Sequence, residues 1–277
     1  MTGQPLVSFS VPFGGGLAWL RQALGSCQAQ TEPRWQAVVV DDHSGEPVAE
    51  LIDALADPRI QLRRLPAGST GVAAARNLAL QAADADLLLT LDADDMALPE
   101  RASRCLALLE STAPQLIYTR VQFMNPAGQP GTPKPWLEPH NPQLLRLFNM
   151  ITNPGTAFTR AAYASAGGYY VRELAMAEDY DLYLRMQAAG VAIRAVDEIH
   201  VLYRKHRASL TGGRPARLHQ AIMQVRQGLG IAPFPLQLIA RYASPQLWQQ
   251  LRRSRAQRRL WRDDRWPRSL PQALLGW

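Results

Sequence analysis

Three carboxylates stand close together in the segment DLLLTLDADDMALPE, residues 86–100. Asp92, Asp94 and Asp95 follow the apolar run Leu87 to Leu91, which is typical of a central strand buried on both faces. Neighbouring carboxylates repel one another, and a hard divalent cation shared with a phosphate relieves that repulsion. The segment therefore predicts a site for a cation and a phosphate, with a solvated acidic turn that caps the next helix as the alternative.

A second acidic pair, Asp41 and Asp42, follows the apolar run Ala37 to Val40. In nucleotide-binding sheets, an acidic residue at the end of the second strand commonly holds a ribose hydroxyl. The alternative is that the pair caps the helix expected over residues 47–56, a duty that Ser44 could also serve. The residues alone leave both interpretations open.

The elements that would position these carboxylates alternate along residues 1 to about 115. Strand patterns over 6–11, 35–40, 60–65 and 87–91 are each followed by a helical pattern, over 17–27, 47–56, 72–83 and 99–110. Such alternation predicts a parallel α/β sheet. Because ligands bind at the carboxyl ends of the strands in an open α/β sheet, we expect the acidic residues at the ligand-binding edge.

The second half of the chain is less regular. We expect strands over 115–123 and 155–160, helices over 143–149 and 177–189, and strand segments over 191–196 and 199–204. Residues 125–142 contain six prolines and are expected to form a surface loop that shapes a ligand site.

The glycines that follow the first strand, Gly14, Gly15 and Gly16, do not complete a dinucleotide-binding fingerprint. The third glycine of G-x-G-x-x-G would fall at Trp19. Hydride transfer with a bound dinucleotide is therefore disfavoured, although the glycines still allow a ligand to approach the backbone closely.

Composition limits the class of protein further. The chain has 277 residues, of which 47% are hydrophobic, an ordinary value for a globular protein. No apolar run approaches the ~18 residues that a membrane-spanning helix needs, and the first residues lack the basic and apolar regions of a signal peptide. With only two cysteines, Cys27 and Cys105, a reducing cytoplasm is the simplest expected location.

The net charge of +7 is concentrated near the C-terminus. Residues 252–268 contain eight arginines and two aspartates, a net +6, which leaves +1 for the rest of the chain. With Trp248, Trp261 and Trp266 nearby, this tail predicts peripheral contact of residues 244–277 with an anionic membrane, on its inner face. A tail that packs on the body is the alternative, and a nucleic-acid role is a minority interpretation because the body lacks a matching basic pattern.

The motifs taken together resemble the family-2 glycosyltransferases, inverting enzymes with a GT-A fold. The matching segments are Pro12 at the end of the first strand, VVVDDHS at 38–44, GVAAARN at 71–77, LDADD at 91–95 with Pro99, EDYDLYLR at 178–185 and YRKHRASLT at 203–211. Each motif is weak, but their order and spacing are specific, and the resemblance covers residues 5 to 212.

The resemblance implies a nucleotide-binding α/β sandwich with a central, mostly parallel sheet, followed here by a helical basic extension. It implies a donor-binding half over residues 1–115, an acceptor-binding and catalytic half of the same domain over 116–212, and the extension over 213–277. The implied activity is metal-dependent transfer of a sugar, with inversion, from a nucleoside-diphosphate sugar to a hydroxyl of a glycan or a lipid-linked acceptor. The implied setting is the assembly of bacterial cell-surface polysaccharide or glycolipid.

The family's site residues carry over to positions of this chain. Those implied to bind the donor nucleotide are Pro12, Phe13, Asp42, Arg76, Asp92, Ala93 and Asp94. Those implied to hold the divalent metal, Mn²⁺ or Mg²⁺, are Asp94, Asp92 and His206. Asp179 is implied to be the general base, and Glu178 is implied to orient the acceptor.

Alternatives remain for three of these residues. Glu178 and Asp179 could instead compensate the dipole of the helix that they begin, and His206 could be a surface or capping histidine. A catalytically inactive relative that binds nucleotide or sugar is the alternative at the level of function.

This chain departs from the family pattern at one place. The family usually has an aromatic residue and an asparagine where Gly14 and Gly15 stand. A ring that stacks on the nucleotide base must then come from elsewhere, and Phe13 is the candidate.

Overall fold

The computed structural model describes residues 6–110, 112–134, 136–170, 176–206, 215–231, 241–247 and residue 249. Its strands are β1 (Val7–Phe13), β2 (Trp35–Asp41), β3 (Ile60–Arg64), β4 (Leu87–Thr90), β5 (Met96–Ala97), β6 (Gln115–Met124), β7 (Pro130–Pro133), β8 (Thr156–Thr159) and β9 (Ala192–Arg204).

The helices connect these strands and cover the sheet. They are α1 (Leu17–Gln28), α2 (Val48–Leu55), α3 (Val72–Gln81), α4 (Arg101–Leu108), α5 (Pro142–Leu147), α6 (Arg160–Ser165), α7 (Glu178–Ala188) and α8 (Pro215–Gly228). A short 3-10 turn, Asn153–Gly155, precedes β8.

All nine described strands form one sheet in the order β3-β2-β1-β4-β8-β6-β9-β5, with β7 paired to β6. Strands β1 to β4 pair in parallel, and β6 pairs in parallel with β9. Strand β8 lies antiparallel between β4 and β6, so β6 and β9 run in the same direction as β1 to β4. Because only β5, β7 and β8 run the opposite way, the predicted mostly parallel α/β sheet is confirmed.

The side chains of the central strands alternate between two apolar layers, as the two-residue period of a strand requires. Val7, Phe9 and Val11 of β1 pack in the layer that contains α1, together with Leu87 and Leu89 of β4. Leu88 packs in the opposite layer, with residues of α7 and α8. Burial on both faces explains why β4 is the apolar run that precedes the acidic motif.

Two expectations for the second half need correction. The loop over 125–142 contains the short exposed strand β7, which pairs with β6. The segments 191–196 and 199–204 form one strand, β9, because Asp197 and Glu198 form a bulge that shifts the register against β6 without ending the strand.

The C-terminal extension begins with α8, which buries Leu218, Ala221 and Val225 against the core. Ser244 caps the next helical residues, because its hydroxyl accepts the Leu247 amide proton at 3.2 Å. Leu247 lies within the segment 244–277 that was expected to contact a membrane, but it is 2% exposed and packs in the core. The arginine-rich stretch, residues 252–268, lies outside the described residues. Within the described part of the chain, no helix is both long and apolar enough to span a membrane.

Candidate active site

Arg76 joins two parts of the carboxyl-terminal edge of the sheet. It lies in α3, is 4% exposed, and donates from Nη2 to Asp92 Oδ1 at 2.7 Å. Its other terminal nitrogen, Nη1, donates to Glu178 Oε1 at the start of α7. The buried guanidinium therefore holds the acidic segment after β4 beside the acidic start of α7, and it neutralises charge on both.

Asp94 is paired with a histidine that is distant in the sequence, His206. Its Oδ2 lies 2.7 Å from Nε2 of His206, which follows β9. The ring of Trp19, in α1, lies beside that imidazole with the ring centroids 4.4 Å apart. Burial and the neighbouring Asp92 charge raise the pKa of Asp94, while the contact with His206 opposes that rise.

Asp95 differs from the other two acids of the motif because it is fully buried. Its Oδ1 accepts the backbone N–H of Arg204 at 2.8 Å. Burial and the charges of Asp94 and Asp92 raise its pKa well above the usual range of a carboxyl. Asp95 therefore fixes the motif to β9, and only Asp92 and Asp94 remain half-exposed toward a ligand.

Arg204 holds the acidic loop in place from the end of β9. Its Nε donates to the Asp94 backbone oxygen at 2.6 Å, and its Nη1 donates to the Pro126 oxygen at 2.8 Å. Its Nη2 donates to Gln22 Oε1 of α1 at 2.6 Å. No local sequence pattern marks Arg204, because its partners lie 78 to 182 residues away along the chain.

Asp179 is the second residue of α7 and lies half-buried beside Glu178. The helix follows Ala177, whose φ of 63° is left-handed and unusual for a residue other than glycine. Burial raises the pKa of Asp179 to about 7, the Glu178 charge adds to the rise, and Arg76 opposes it. A carboxyl that titrates near neutral pH is suited to accept a proton at that pH.

Asp42 faces the same edge of the sheet. The alternative that the Asp41–Asp42 pair caps α2 is wrong, because no described side chain makes a cap hydrogen bond at the start of that helix. Oδ1 of Asp42 accepts from the Thr70 hydroxyl at 2.9 Å, and its Oδ2 accepts from the Gly71 backbone N–H at 2.8 Å, at the start of α3. Because an ionised carboxylate has about four acceptor sites, Asp42 can still accept a bond from a ribose hydroxyl.

The expected role of the Phe13 ring is not compatible with its position. Phe13 is 1% exposed and packs in the core, so its ring cannot stack on a nucleotide base. Only its backbone reaches the edge, where its oxygen accepts the Asp42 N–H at 2.8 Å. The preceding residue, Pro12, is half-buried in β1, and Ala93 is half-buried between Asp92 and Asp94.

The glycine loop after β1 is already occupied by a side chain of the protein. Glu46 accepts the backbone N–H groups of Gly16 and Leu17 at 2.7 and 2.8 Å, and so satisfies the N-terminus of α1. This contact is not visible in the sequence, because no local pattern links Glu46 to a helix that starts 29 residues before it.

The residues of the edge fit a divalent cation that is bound together with a substrate. Asp94 Oδ2 and His206 Nε2 lie 2.7 Å apart, so a cation that displaced their mutual hydrogen bond would meet one oxygen and one nitrogen ligand. Within the described ranges, no group of three or more His, Cys, Asp or Glu side chains is arranged to hold a metal alone. Two protein ligands supplemented by diphosphate oxygens and water are the usual arrangement for a cation that accompanies a nucleotide.

Known proteins resemble this chain in sequence. A model of the family described as Glycosyl transferase family 2 matches residues 8–165. The protein named colanic acid biosynthesis glycosyl transferase WcaA, from Escherichia coli (strain K12), is 30% identical over 200 residues, which are 67% of each chain. The O-antigen biosynthesis protein RfbC of Myxococcus xanthus is 30% identical over 206 residues, 72% of this chain but only 16% of RfbC.

Solved structures share the fold. Residues 1–349 of S. aureus TarS, in complex with UDP-GlcNAc, superpose with a TM-score of 0.66 at 18% identity, over 83% of this chain and 68% of that one. The mannosyltransferase PcManGT of Pyrobaculum calidifontis, in complex with GDP-Man and Mn²⁺, gives a TM-score of 0.58 at 18% identity, over 84% and 67%. The fold is therefore that of GT-A glycosyltransferases, and, because the family model spans more than half of the sequence, the chain belongs to glycosyl transferase family 2.

Proposed function

We propose that this glycosyltransferase moves a sugar from a nucleoside-diphosphate sugar to an acceptor hydroxyl, with inversion and with a divalent metal. The observation that carries the proposal is the arrangement around Arg76. This one buried guanidinium holds Asp92, on the proposed donor side, beside Glu178 at the start of α7. Asp179 follows Glu178 directly, so a donor and a proton acceptor would meet at one edge of the sheet.

On the donor side, Asp42 would accept from the ribose, while Asp94 and His206 would hold the cation, with Asp92 beside them. When bound, Mn²⁺ or Mg²⁺ would supply Lewis-acid stabilisation of the charge that develops on the departing diphosphate. Without a cation, the half-exposed carboxylates Asp92 and Asp94 would repel a diphosphate. This repulsion is the physical reason for proposing metal dependence.

On the acceptor side, Asp179 would remove the proton of the acceptor hydroxyl while the hydroxyl oxygen forms a bond to the anomeric carbon of the donor sugar. The bond from that carbon to the phosphate oxygen breaks on the opposite face, and the nucleoside diphosphate leaves with the electron pair. One displacement of this kind inverts the configuration, and it needs no covalent intermediate with the protein. Glu178, held by Arg76, would orient the acceptor.

The names of the relatives support the biological setting that we propose. WcaA and RfbC carry names of colanic acid and O-antigen biosynthesis. We propose that this chain also acts in the assembly of bacterial cell-surface polysaccharide or glycolipid, on the cytoplasmic side. The division into a donor half (1–115), an acceptor half (116–212) and an extension (213–277) belongs to the same proposal.

A panel of nucleotide sugars tests the proposed reaction. Calorimetry with UDP-, GDP- and dTDP-sugars, each with Mn²⁺ and with EDTA, should find at least one donor that binds only with metal. That donor should be hydrolysed slowly when no acceptor is present, and NMR of the released sugar should show an inverted anomer. Binding without release of sugar would favour an inactive relative, and no metal-dependent binding across the panel would contradict the proposal.

The membrane contact of the tail remains a proposal for the residues after 249. Because Leu247 packs in the core, a truncation that tests the tail should retain it and end at Gln249. The full chain should float with anionic vesicles at low salt, and the truncated chain should not. Equal flotation of both chains, or of neither, would contradict membrane attachment through this tail, and retention on nucleic acid instead would favour the minority interpretation.

A further inference from the structure

Asn77 lies next to Arg76 in α3 and ends the segment GVAAARN, but the proposed reaction gives it no role. Its side chain binds both backbone polar groups of Tyr169, which follows α6. Asn77 Nδ2 donates to the Tyr169 oxygen at 2.7 Å, and the Tyr169 N–H donates to Asn77 Oδ1 at 2.8 Å. This pair of hydrogen bonds, the Asn77 clamp, fixes the backbone of Tyr169 to α3, although 92 residues separate the two residues.

The segment after α6 is shaped to fit this clamp. Asn77 Oδ1 also accepts from the Tyr163 hydroxyl at 2.7 Å. Gly168 has a left-handed φ of 75°, and a Cβ there would lie 2.8 Å from the Tyr163 hydroxyl oxygen and 3.1 Å from Asn77 Oδ1. Both the conformation and the space therefore favour glycine at 168, directly before the residue that the clamp holds.

The clamp places the ring of Tyr169 over Arg76. Arg76 Cζ lies 5.7 Å from the ring centroid, within the ~6 Å at which an aromatic face attracts a guanidinium. Tyr169 is 3% exposed and Arg76 is 4% exposed, so this attraction acts away from water. Both Arg76 Nε and the Tyr169 hydroxyl are buried without a hydrogen-bond partner among the described residues. The contact is therefore made by the face of the ring and not by its hydroxyl.

The same guanidinium carries two ion pairs of the candidate active site. Its Nη2 binds Asp92 in the loop after β4, and its Nη1 binds Glu178 at the start of α7. A long arginine side chain has many rotamers, and two carboxylates on different elements do not by themselves select one of them. A rigid ring that packs on the guanidinium restricts its motion and keeps it within reach of both carboxylates.

We propose that Tyr169, held by the Asn77 clamp, is a positioning residue that keeps Arg76 between Asp92 and Glu178. The inference rests on the proposed function, because Arg76 is the residue that joins the proposed donor side to the proposed acceptor side. Asn77 and Arg76 then act as a unit of α3: Asn77 fixes the ring, and the ring fixes the neighbouring arginine.

Chemical labelling of arginine tests this contact without a substrate. Phenylglyoxal modifies accessible guanidinium groups, and mass spectrometry of proteolytic peptides gives the labelling rate of each arginine. In Tyr169→Leu, which lacks the ring, Arg76 should be labelled at least about tenfold faster than in the wild type, as expected when a contact of this kind is lost. Tyr169→Phe keeps the ring face and should label at the wild-type rate. Asn77→Ala releases the clamp and should behave as Tyr169→Leu does, and it decides the test if Tyr169→Leu does not fold.

Two controls separate a local contact from general loosening of the core. Arg101 in α4 is buried to a similar degree, at 1% exposed, and its labelling rate should be the same in every variant. Tyr118→Leu removes a buried ring of β6, whose hydroxyl donates to the Glu138 oxygen at 2.6 Å. This variant should leave the labelling rate of Arg76 unchanged.

A double-mutant comparison tests whether Tyr169 acts through Arg76. For a donor that the nucleotide-sugar panel identifies, Tyr169→Leu should lower the rate of sugar release about tenfold, and Tyr169→Phe should retain the wild-type rate. In Arg76→Gln, the added Tyr169→Leu substitution should lower the rate by less than about twofold, because the contact is already lost. A merely structural role of Tyr169 would instead lower the rate by the same factor in both backgrounds.

The inference is overturned if Tyr169→Leu and Asn77→Ala leave the labelling rate of Arg76 unchanged, or if Tyr169→Phe raises it as much as Tyr169→Leu does. It is also overturned if the rate of Arg101 rises in parallel, or if Tyr118→Leu has the same effect on Arg76. Labelling uses neither donor nor metal. A panel without any metal-dependent donor would therefore contradict the proposed function while the labelling rates still decide the contact.

Discussion

Nε2 of His206 lies 2.7 Å from Oδ2 of Asp94, although 112 residues separate them in the sequence. The contact joins the acidic loop after β4 to the end of β9. Two further links hold the same pair of elements together, from Arg204 to Asp95 and from Arg204 to the Asp94 oxygen. The proposed metal ligands therefore follow two different strands of the sheet, β4 and β9, and we expect each of them to matter for metal-dependent binding of the donor.

We predict that Asp94→Asn removes the metal dependence of donor binding. The amide keeps the shape of the side chain but loses the charge that attracts a cation. Donor affinity measured by calorimetry with Mn²⁺ should fall to the level measured with EDTA, and His206→Ala should have the same effect in weaker form. His140→Ala, on the loop before α5, is the control and should bind as the wild type does. Wild-type affinity and metal response in Asp94→Asn would exclude this residue from the metal site.

We predict that Glu178→Gln shifts the pH profile of transfer to lower pH. A base must be deprotonated to act, so kcat/KM should rise with pH through the pKa of Asp179 in the free enzyme, about 7. Burial is the main cause of that raised pKa and the Glu178 charge is the second, so removing the charge should lower it. The measurement is kcat/KM from pH 5 to 9. An unchanged or upward shift of the acid limb would show that another group titrates.

We predict that Gly155→Ala destabilises the fold by ~1–3 kcal/mol, a typical cost of forcing extra atoms into a packed core. A Cβ on Gly155 would lie 2.7 Å from the backbone oxygen of Thr119, and backbone cannot move aside as a flexible side chain can. Gly25→Ala is the matched control, because Gly25 lies inside α1 with no atom within 4 Å of an added Cβ. It should stabilise the protein by ~0.5–1 kcal/mol. Urea unfolding of the two variants should move the midpoint in opposite directions.

The sequence was sufficient where a local pattern decides the structure. The strand and helix alternation of the first 115 residues follows from periodicity, and it put Asp42, Asp92 and Asp94 at one edge of the sheet. The buried position of Phe13 was also accessible, because Phe13 continues the alternation of Phe9 and Val11 on one face of β1. The expectation that the Phe13 ring stacks on a nucleotide base was wrong, because it considered only the glycine loop that follows and not the two-residue period of β1.

The remaining features depend on long-range packing. Arg204 binds to α1 and to the loop after β6, and Glu46 binds to the start of α1, so neither contact has a local signature. The same holds for Asp95, which cannot be distinguished from Asp92 and Asp94 by sequence but is the buried member of the three. Burial decides which carboxylates of such a cluster can meet a ligand, and burial is a property of the whole fold.

The central claim is that Asp179 takes the acceptor proton at a site assembled around Arg76. The most direct test compares the rate of sugar transfer with the donor affinity in Asp179→Asn. Asparagine is similar in shape but a poor proton acceptor, so the rate of sugar transfer should fall by ~10²–10⁴. Donor affinity in the presence of Mn²⁺, measured on the same preparation, should stay near that of the wild type. A variant that transfers sugar at the wild-type rate, or that loses donor binding to the same extent as transfer, would contradict the claim.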